Sequence, residues 1–456
     1  MRTVDVAIIG AGHAGLNALK EVRAAGASWV LIDGGPLGTT CARVGCMPSK
    51  AVIELAQAAG PGGAAGETAP ADVPALLERV RDLRDTFVDL VLANSTDNMV
   101  AGRELLRGEA RFLEPDLLAV GDERIRARPV VIAAGSRPLI PGTCRSLGSR
   151  LLTSESLFDL EHLPGSVAVI GLGAIGLELG QALHRLGVRV TGFDARRTVA
   201  GLTDTEVSAV AVGALEREFP IHLGAVADCA VDGAGVRVSA GNTTVTAERL
   251  LLAVGRVPNI PEGLSRHCRT DARGVPEHDP GTFRVGDLPV FIAGDATGAR
   301  MLLQDAADEG RAAGANAVRE TPRAYPRKTA MGIVFADPNI AQVGATREQV
   351  PAAIVGQQRF GPVGRALIMG SNRGLIRLYA ERDTGRLLGA AMVGPRVEHL
   401  AHLVAWSVQQ GHTVAHMLGM PFYHPVIEEA LQDALKDTAR RLAAAGAGAT
   451  PPARAA

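Results

Sequence analysis

The amino-terminal apolar run VDVAIIG, residues 4–10, stands before a glycine-rich turn, a stretch with apolar residues at helical spacing (AGHAGLNALKEVRAAG) and a second apolar run, SWVLID. A short continuous apolar run reads as a strand buried on both faces, so this order predicts strand, helix and strand: one βαβ unit of a parallel sheet. The same grammar returns over residues 166–194, SVAVIGLGAIGLELGQALHRLGVRVTGFD. Two such units predict an α/β chain with two separate nucleotide-binding folds.

Between the units the pattern changes. A Gly/Ala/Pro-rich loop, AAGPGGAAGETAPAD, precedes a helical stretch from about Pro74 to Val100, and short strands run from Leu105 to Ile132. A boundary falls near residue 150. Later, RLLLAVGRVPN and LPVFIAGDATG each close a strand on glycine plus a small or acidic residue, as chains do where they pass a bound ligand. From about Lys328, GIVFADPNIAQVG opens a strand-rich and then helix-rich final segment. A disordered tail is expected from about residue 445.

Composition narrows the chemistry. A chain of 456 residues is long enough for several cores. Its 47% hydrophobic and 21% charged residues with a formal net charge of -1 give no sign of a nucleic-acid or membrane partner. No apolar run reaches membrane-spanning length and the start carries no secretory pattern, so a cytoplasmic location is expected. Of five cysteines, Cys144, Cys229 and Cys268 are scattered in sequence. An odd total in a reducing compartment argues against a framework of structural disulfides. No spacing of Cys and His suggests a metal site.

The candidate chemistry begins with glycines. Gly10, Gly12 and Gly15 form G-x-G-x-x-G between a strand and a helix, and Asp33 closes the next strand. Such glycines permit a tight turn and close backbone approach, the helix amino terminus faces a pyrophosphate, and the acid can accept from a ribose diol. Gly171, Gly173 and Gly176 repeat the pattern with Asp194 as the acid, which favours NAD by repelling a 2′-phosphate. Arg196 and Arg197 follow and could hold that phosphate instead.

Cys41 and Cys46 lie in GTTCARVGCMPSK, residues 38–50. Residues five apart on an ideal helix point about 140° away from each other, so pairing needs a break, which Gly45 can supply. The alternative is a pair of small buried hydrophobes. His424 has Glu429 five residues on, in HPVIEE, where a carboxylate can fix the imidazole tautomer. His399, His412 and His416 have no such partner and are expected to be structural.

GTTCARVGCMPSK resembles the redox-active signature of the flavin-dependent pyridine nucleotide–disulfide oxidoreductases. VIAAGSRPLIPG, LLLAVGRVPN, FIAGDATG and HPVIEE are similar to further motifs of that family in the same order. The likeness is greatest to its dihydrolipoamide dehydrogenase branch. It implies an FAD-binding domain over residues 1–150, an NAD(P)-binding domain over 151–275, a central segment over 276–330 returning to the flavin, and an α+β interface domain over 331–456 that forms a homodimer. The implied FAD contacts are Gly10, Gly12, Gly15, Asp33, Thr40, Lys50, Ala110, Gly135, Asp295 and Leu303. The implied NAD contacts are Gly171, Gly173, Gly176, Glu178, Asp194 and Gly255.

The resemblance also implies roles. Cys46 faces the flavin and Cys41 exchanges with the disulfide substrate. Lys50 and Glu178 meet beside the flavin, and Asp295 bonds its ribityl chain. The helix opening at MLLQDAADEG points its amino terminus at the pyrimidine edge. His424, oriented by Glu429, serves as acid and base toward Cys41 of the other subunit. The implied activity is dihydrolipoyl dehydrogenase. Rivals are reductases of a glutathione-like or mycothiol-like disulfide, and a flavoprotein scaffold in a keto acid dehydrogenase assembly. Mercuric and large thioredoxin reductases carry a second, carboxy-terminal cysteine pair that this sequence lacks. Gln304, where relatives often have His, and Val426, where they often have Thr, depart from the family pattern.

Overall fold

The computed structural model describes residues 1–58, 73–96, 99 and 104–446. The glycine-rich loop of residues 59–72 and the expected tail beyond 446 lie outside them. The first parallel sheet has strand order Val290–Ile292, Val130–Ile132, Val6–Ile9, Trp29–Asp33 and Leu105–Arg107. Ala7 stands between Val30 and Val130, and Val6–Ile9 is buried at every residue, as an interior strand requires. The strand begins at Val6 rather than Val4. Asp5 breaks the run because its carboxylate accepts from both the amide and the hydroxyl of Ser28, and Arg2–Val4 joins a separate four-stranded sheet.

The second parallel sheet runs Leu151–Leu152, Arg249–Leu252, Ser166–Ile170, Arg189–Asp194 and Ile221–Leu223. A three-strand antiparallel meander, Asp228–Asp232, Gly235–Ala240 and Thr243–Ala247, lies beside it. The chain enters this unit past Ser136–Pro138 and leaves it past Arg256–Pro258, and these two strands pair antiparallel. The second nucleotide unit is therefore inserted in the first through a two-stranded ribbon. Leu264 and Val275, assigned by the sequence reading to the second unit, are buried with Ala7, Ile32 and Val285 of the first. The return is earlier than residue 275 because the turn signals between 258 and 275 serve loops over the first sheet.

The carboxy-terminal unit is a five-stranded antiparallel sheet, Met331–Val334, Asn339–Gly344, Leu387–Gly394, Leu375–Ala380 and Ile354–Arg359, covered by helices that include Val397–Gln409 and Glu429–Ala444. Tyr379 and Arg377 from this sheet meet Asp204 of the second unit. The Tyr379 hydroxyl donates to Asp204 at 2.8 Å while that carboxylate also caps the helix Thr205–Leu215.

Two helices fix the position of the site. His13–Ala24 follows the first fingerprint and Leu303–Ala317 comes from the central segment. A side chain on Gly310 or Gly314 would collide with the backbone of Ala14 or Ala18, so glycine is what allows these helices to touch main chain to main chain. Their amino-terminal residues His13 and Leu303 end at the same cavity.

Candidate active site

That cavity, of about 1250 Å³, lies between the two nucleotide units and the start of the carboxy-terminal sheet. Gly12, Gly173, Thr40, Cys41, Cys46, Lys50, Gly135, Glu178, Asp194, Gly255, Asp295 and Leu303 all line it. Gly10, Gly15 and Gly176 stand behind the lining and shape it. A side chain at Gly15 or Gly176 would strike the carbonyl of Gly10 or Gly171, whereas Gly12 and Gly173 have open space before them. These are two matched cradles at helix amino termini, each with room for a pyrophosphate, and so the residues fit two dinucleotides. Asp33 lies off the cavity, with its carboxylate accepting from the Ala11 and Gly35 amides at 2.6 and 2.7 Å. Asp194 accepts likewise from Leu172 and Arg196 at 2.8 Å each. Ala110 sits in a strand of the four-stranded sheet, is buried, and is not part of the cavity wall.

The signature forms two helices, Thr40–Val44 and Cys46–Ala58, separated at Gly45. The break resolves the angular mismatch of a five-residue spacing. It lets the Cys41 side chain hydrogen-bond the Cys46 sulfur, and this bond lowers the Cys46 thiol to about 6. Burial works against that shift and the positive charge of Lys50 adds to it. Cys41 is pushed the other way, first by the same bond and then by burial. The pair therefore holds one proton on Cys41 and a thiolate at Cys46. In the reduced protein, alkylation of Cys46 is expected to follow a midpoint near pH 6, and Lys50→Met should move it upward. A profile of alkylation rate against pH centred near the ordinary 9.0 would overturn this assignment.

Lys50 donates to Glu178 at 2.8 Å and lies 4.6 Å from the centre of the Phe335 ring. The Glu178 side chain is only 6% exposed and its second oxygen accepts from the Phe335 amide at 2.9 Å. One buried carboxylate thus joins the first unit, the second unit and the carboxy-terminal sheet. Asp295 accepts from the Ser136 hydroxyl at 2.6 Å, and Ser136 in turn accepts from Arg256 at 2.7 Å. Arg256 also pairs with Glu155 at 3.0 Å. Sequence reasoning missed Ser136, Arg256 and Phe335, although the first two lie within AAGSRP and GRVPN beside glycines that it used. The side chain of Gln304 is exposed and reaches the Met331 carbonyl at 3.4 Å.

His424 and Glu429 stand apart from the cavity. The imidazole Nδ1 is 2.9 Å from Glu429 Oε1, and Glu429 Oε2 accepts from the Val426 amide at 3.1 Å. The hydrogen bond with His424 holds the Glu429 carboxyl below its usual range. The His424 side chain is 80% exposed. Beside it Tyr423, Met420 and Trp406 are exposed apolar side chains along a groove of about 490 Å³. Among the described residues no helix is long and apolar enough to cross a membrane.

An inserted second nucleotide unit, a cysteine pair at the junction of the two and an antiparallel carboxy-terminal sheet define a flavin- and nicotinamide-linked disulfide oxidoreductase fold. The chain belongs to that family: residues 4–310 match the pyridine nucleotide-disulphide oxidoreductase model and residues 330–435 its dimerisation domain. Members of the family use FAD and NAD(P)H. The chain is 31% identical to a dihydrolipoyl dehydrogenase of Thermus scotoductus, with 95% of this chain and 97% of that protein covered. It is also 31% identical to a mercuric reductase of Streptomyces lividans, with 95% and 94% covered. Among solved structures it is similar to LpdA from Mycobacterium tuberculosis, at 25% identity and a TM-score of 0.80 over 96% of this chain and 99% of that one. The HOCl-induced flavoprotein disulfide reductase RclA from Escherichia coli shares the fold at 23% identity and a TM-score of 0.82, over 96% and 99%.

Proposed function

We propose that this disulfide oxidoreductase is a dihydrolipoyl dehydrogenase working with NAD. The observation that carries the reading is the polarised cysteine pair, with a proton held on Cys41 and a thiolate on Cys46 beside the Lys50–Glu178 ion pair. When bound, FAD supplies a two-electron relay between the Cys46 sulfur and the nicotinamide. The chain's own residues perform the exchange. With Cys41 and Cys46 joined, one thiolate of a dithiol substrate attacks the Cys41 sulfur, a mixed disulfide forms, and Cys46 leaves as the thiolate that Lys50 stabilises. His424 of the partner subunit removes the proton of the second substrate thiol. That thiolate then attacks the mixed disulfide, the substrate leaves as a closed disulfide, and His424 returns the proton to Cys41.

This division of labour suits a dithiol, because both of its sulfurs are used in turn at one site. Asp194 supports NAD, since a second phosphate there would face its carboxylate, although Arg196 lies 3.5 Å from that acid. The mercuric reductases among the relatives offer a second reading, but no cysteine follows Cys268 in this sequence. Steady-state rates with lipoamide, oxidised glutathione, a mycothiol-type disulfide and mercuric ion, each with NADH and with NADPH, test the proposal. Lipoamide with NADH is expected to give the highest kcat/KM, and a larger value with any other substrate would replace this reading.

A further inference from the structure

Cys144 and Cys229 are 85 positions apart in sequence and were scattered on a sequence reading, yet their sulfurs lie 2.6 Å from each other. Cys144 belongs to the 3-10 segment Gly142–Arg150, which leads from the connecting ribbon into the second nucleotide unit. Cys229 belongs to Asp228–Asp232, the first strand of the meander. Both are buried, 3% and 7% exposed, within a core that includes Leu147, Val236 and Val238. Buried thiols in such a setting can be inert packing groups. Two features set this pair apart. The sulfurs face each other across separate segments with no other residue between them. Cys144 also belongs to the wall of the main cavity, together with Thr143 and Asp228.

We propose that Cys144 and Cys229 are a second dithiol–disulfide couple, which fastens the entry segment to the wall of the nucleotide cleft when oxidised. With hydrogen peroxide as oxidant, the Cys144 sulfur attacks one oxygen, the O–O bond breaks, and a sulfenic acid and one water result. The Cys229 sulfur then attacks that sulfenic sulfur, the S–S bond forms, and a second water leaves. Two thiols thereby lose two electrons and two protons, and peroxide becomes two waters. A small dithiol in the cleft reverses the step by exchange. The closed loop, residues 144–229, contains the whole second fingerprint from Gly171 to Gly176. Oxidation therefore ties together the two ends of the segment that receives the nicotinamide nucleotide.

The second couple should close more slowly than the first. Burial, then the bond from Cys144 and the charge of Asp228, push the Cys229 thiol up to about 12, whereas Cys46 is lowered to about 6. Thiolates are the reactive form.

The test uses the full-length flavoprotein carrying Cys41→Ser and Cys46→Ser, which leaves three of the five cysteines. It is treated with hydrogen peroxide, unfolded in an alkylating reagent, and mapped by peptide mass spectrometry without reduction. The expected result is a linked peptide joining Cys144 and Cys229, with free thiols falling from three to the one of Cys268. Adding Cys229→Ser should abolish the linked peptide. In wild-type protein the Cys41–Cys46 link should appear first. Recovery of Cys144 and Cys229 both alkylated from the Cys41→Ser, Cys46→Ser protein after prolonged exposure to excess peroxide would overturn the proposal. So would Cys144 carried on to higher acids beside an unreacted Cys229. Because the readout is linkage rather than turnover, it is independent of which disulfide the first pair serves.

Discussion

Cys41→Ser is expected to reduce the rate with any disulfide substrate by at least about 10⁴-fold, while NADH still reduces the bound flavin. The size follows from removing the only sulfur assigned to exchange, since a step that proceeds through a covalent intermediate has no parallel route once its nucleophile is lost. The environment of Cys46 should survive. Serine keeps a donor close to the Cys46 sulfur, and Lys50 stays paired with Glu178 at 2.8 Å. The two half-reactions, measured separately by rapid mixing, decide the matter. Disulfide turnover within tenfold of wild type would show that exchange takes place at Cys46 or elsewhere.

His424→Gln is expected to slow thiol exchange by about 10²–10⁴-fold, the usual contribution of a positioned acid and base, and to spare flavin reduction by NADH. Glutamine keeps much of the shape and can still bond Glu429, so a loss in exchange alone speaks for proton transfer rather than support. Glu429 is held below the usual carboxylate range by its bond to His424. The sign follows. It remains ionised as pH falls through mild acid, so the orienting contact is lost only below the ordinary carboxylate range, and any decline nearer neutrality belongs to another group. His424 is exposed and lies outside the cavity, and in the proposed function it serves the partner subunit's site. Co-expressed Cys41→Ser and His424→Gln chains should recover part of the activity that neither has alone. Equal loss in both half-reactions of His424→Gln would remove His424 from the chemistry.

The fold was legible where local pattern and tertiary setting agree. Val6–Ile9 and Ser166–Ile170 are apolar throughout because both of their faces are covered, and the glycines that follow have to clear the carbonyls of Gly10 and Gly171. Gly45 was also readable, since five-residue spacing on an unbroken helix forbids the contact that the broken helix makes. The remainder depends on distant partners. Nothing local to Cys144 or Cys229 signals that an inserted unit brings them together. Ser136 takes its importance from Arg256, 120 positions away in sequence. The early return of Leu264 and Val275 to the first core was hidden because turn-rich segments carry little periodicity. Asp33 carries a part its sequence position did not suggest: besides the expected place of a ribose ligand, its carboxylate braces the turn that precedes the helix.

Gly310 and Gly314 press one helix onto Ala14 and Ala18 of another until no side chain separates the two backbones. Joined in this way, the two helices behave as a single girder whose positive ends stay at a constant offset from one another. The redox potential of a cofactor held there cannot be tuned by sliding one dipole alone. Adjustment falls to side chains that can move independently of that pair of helices.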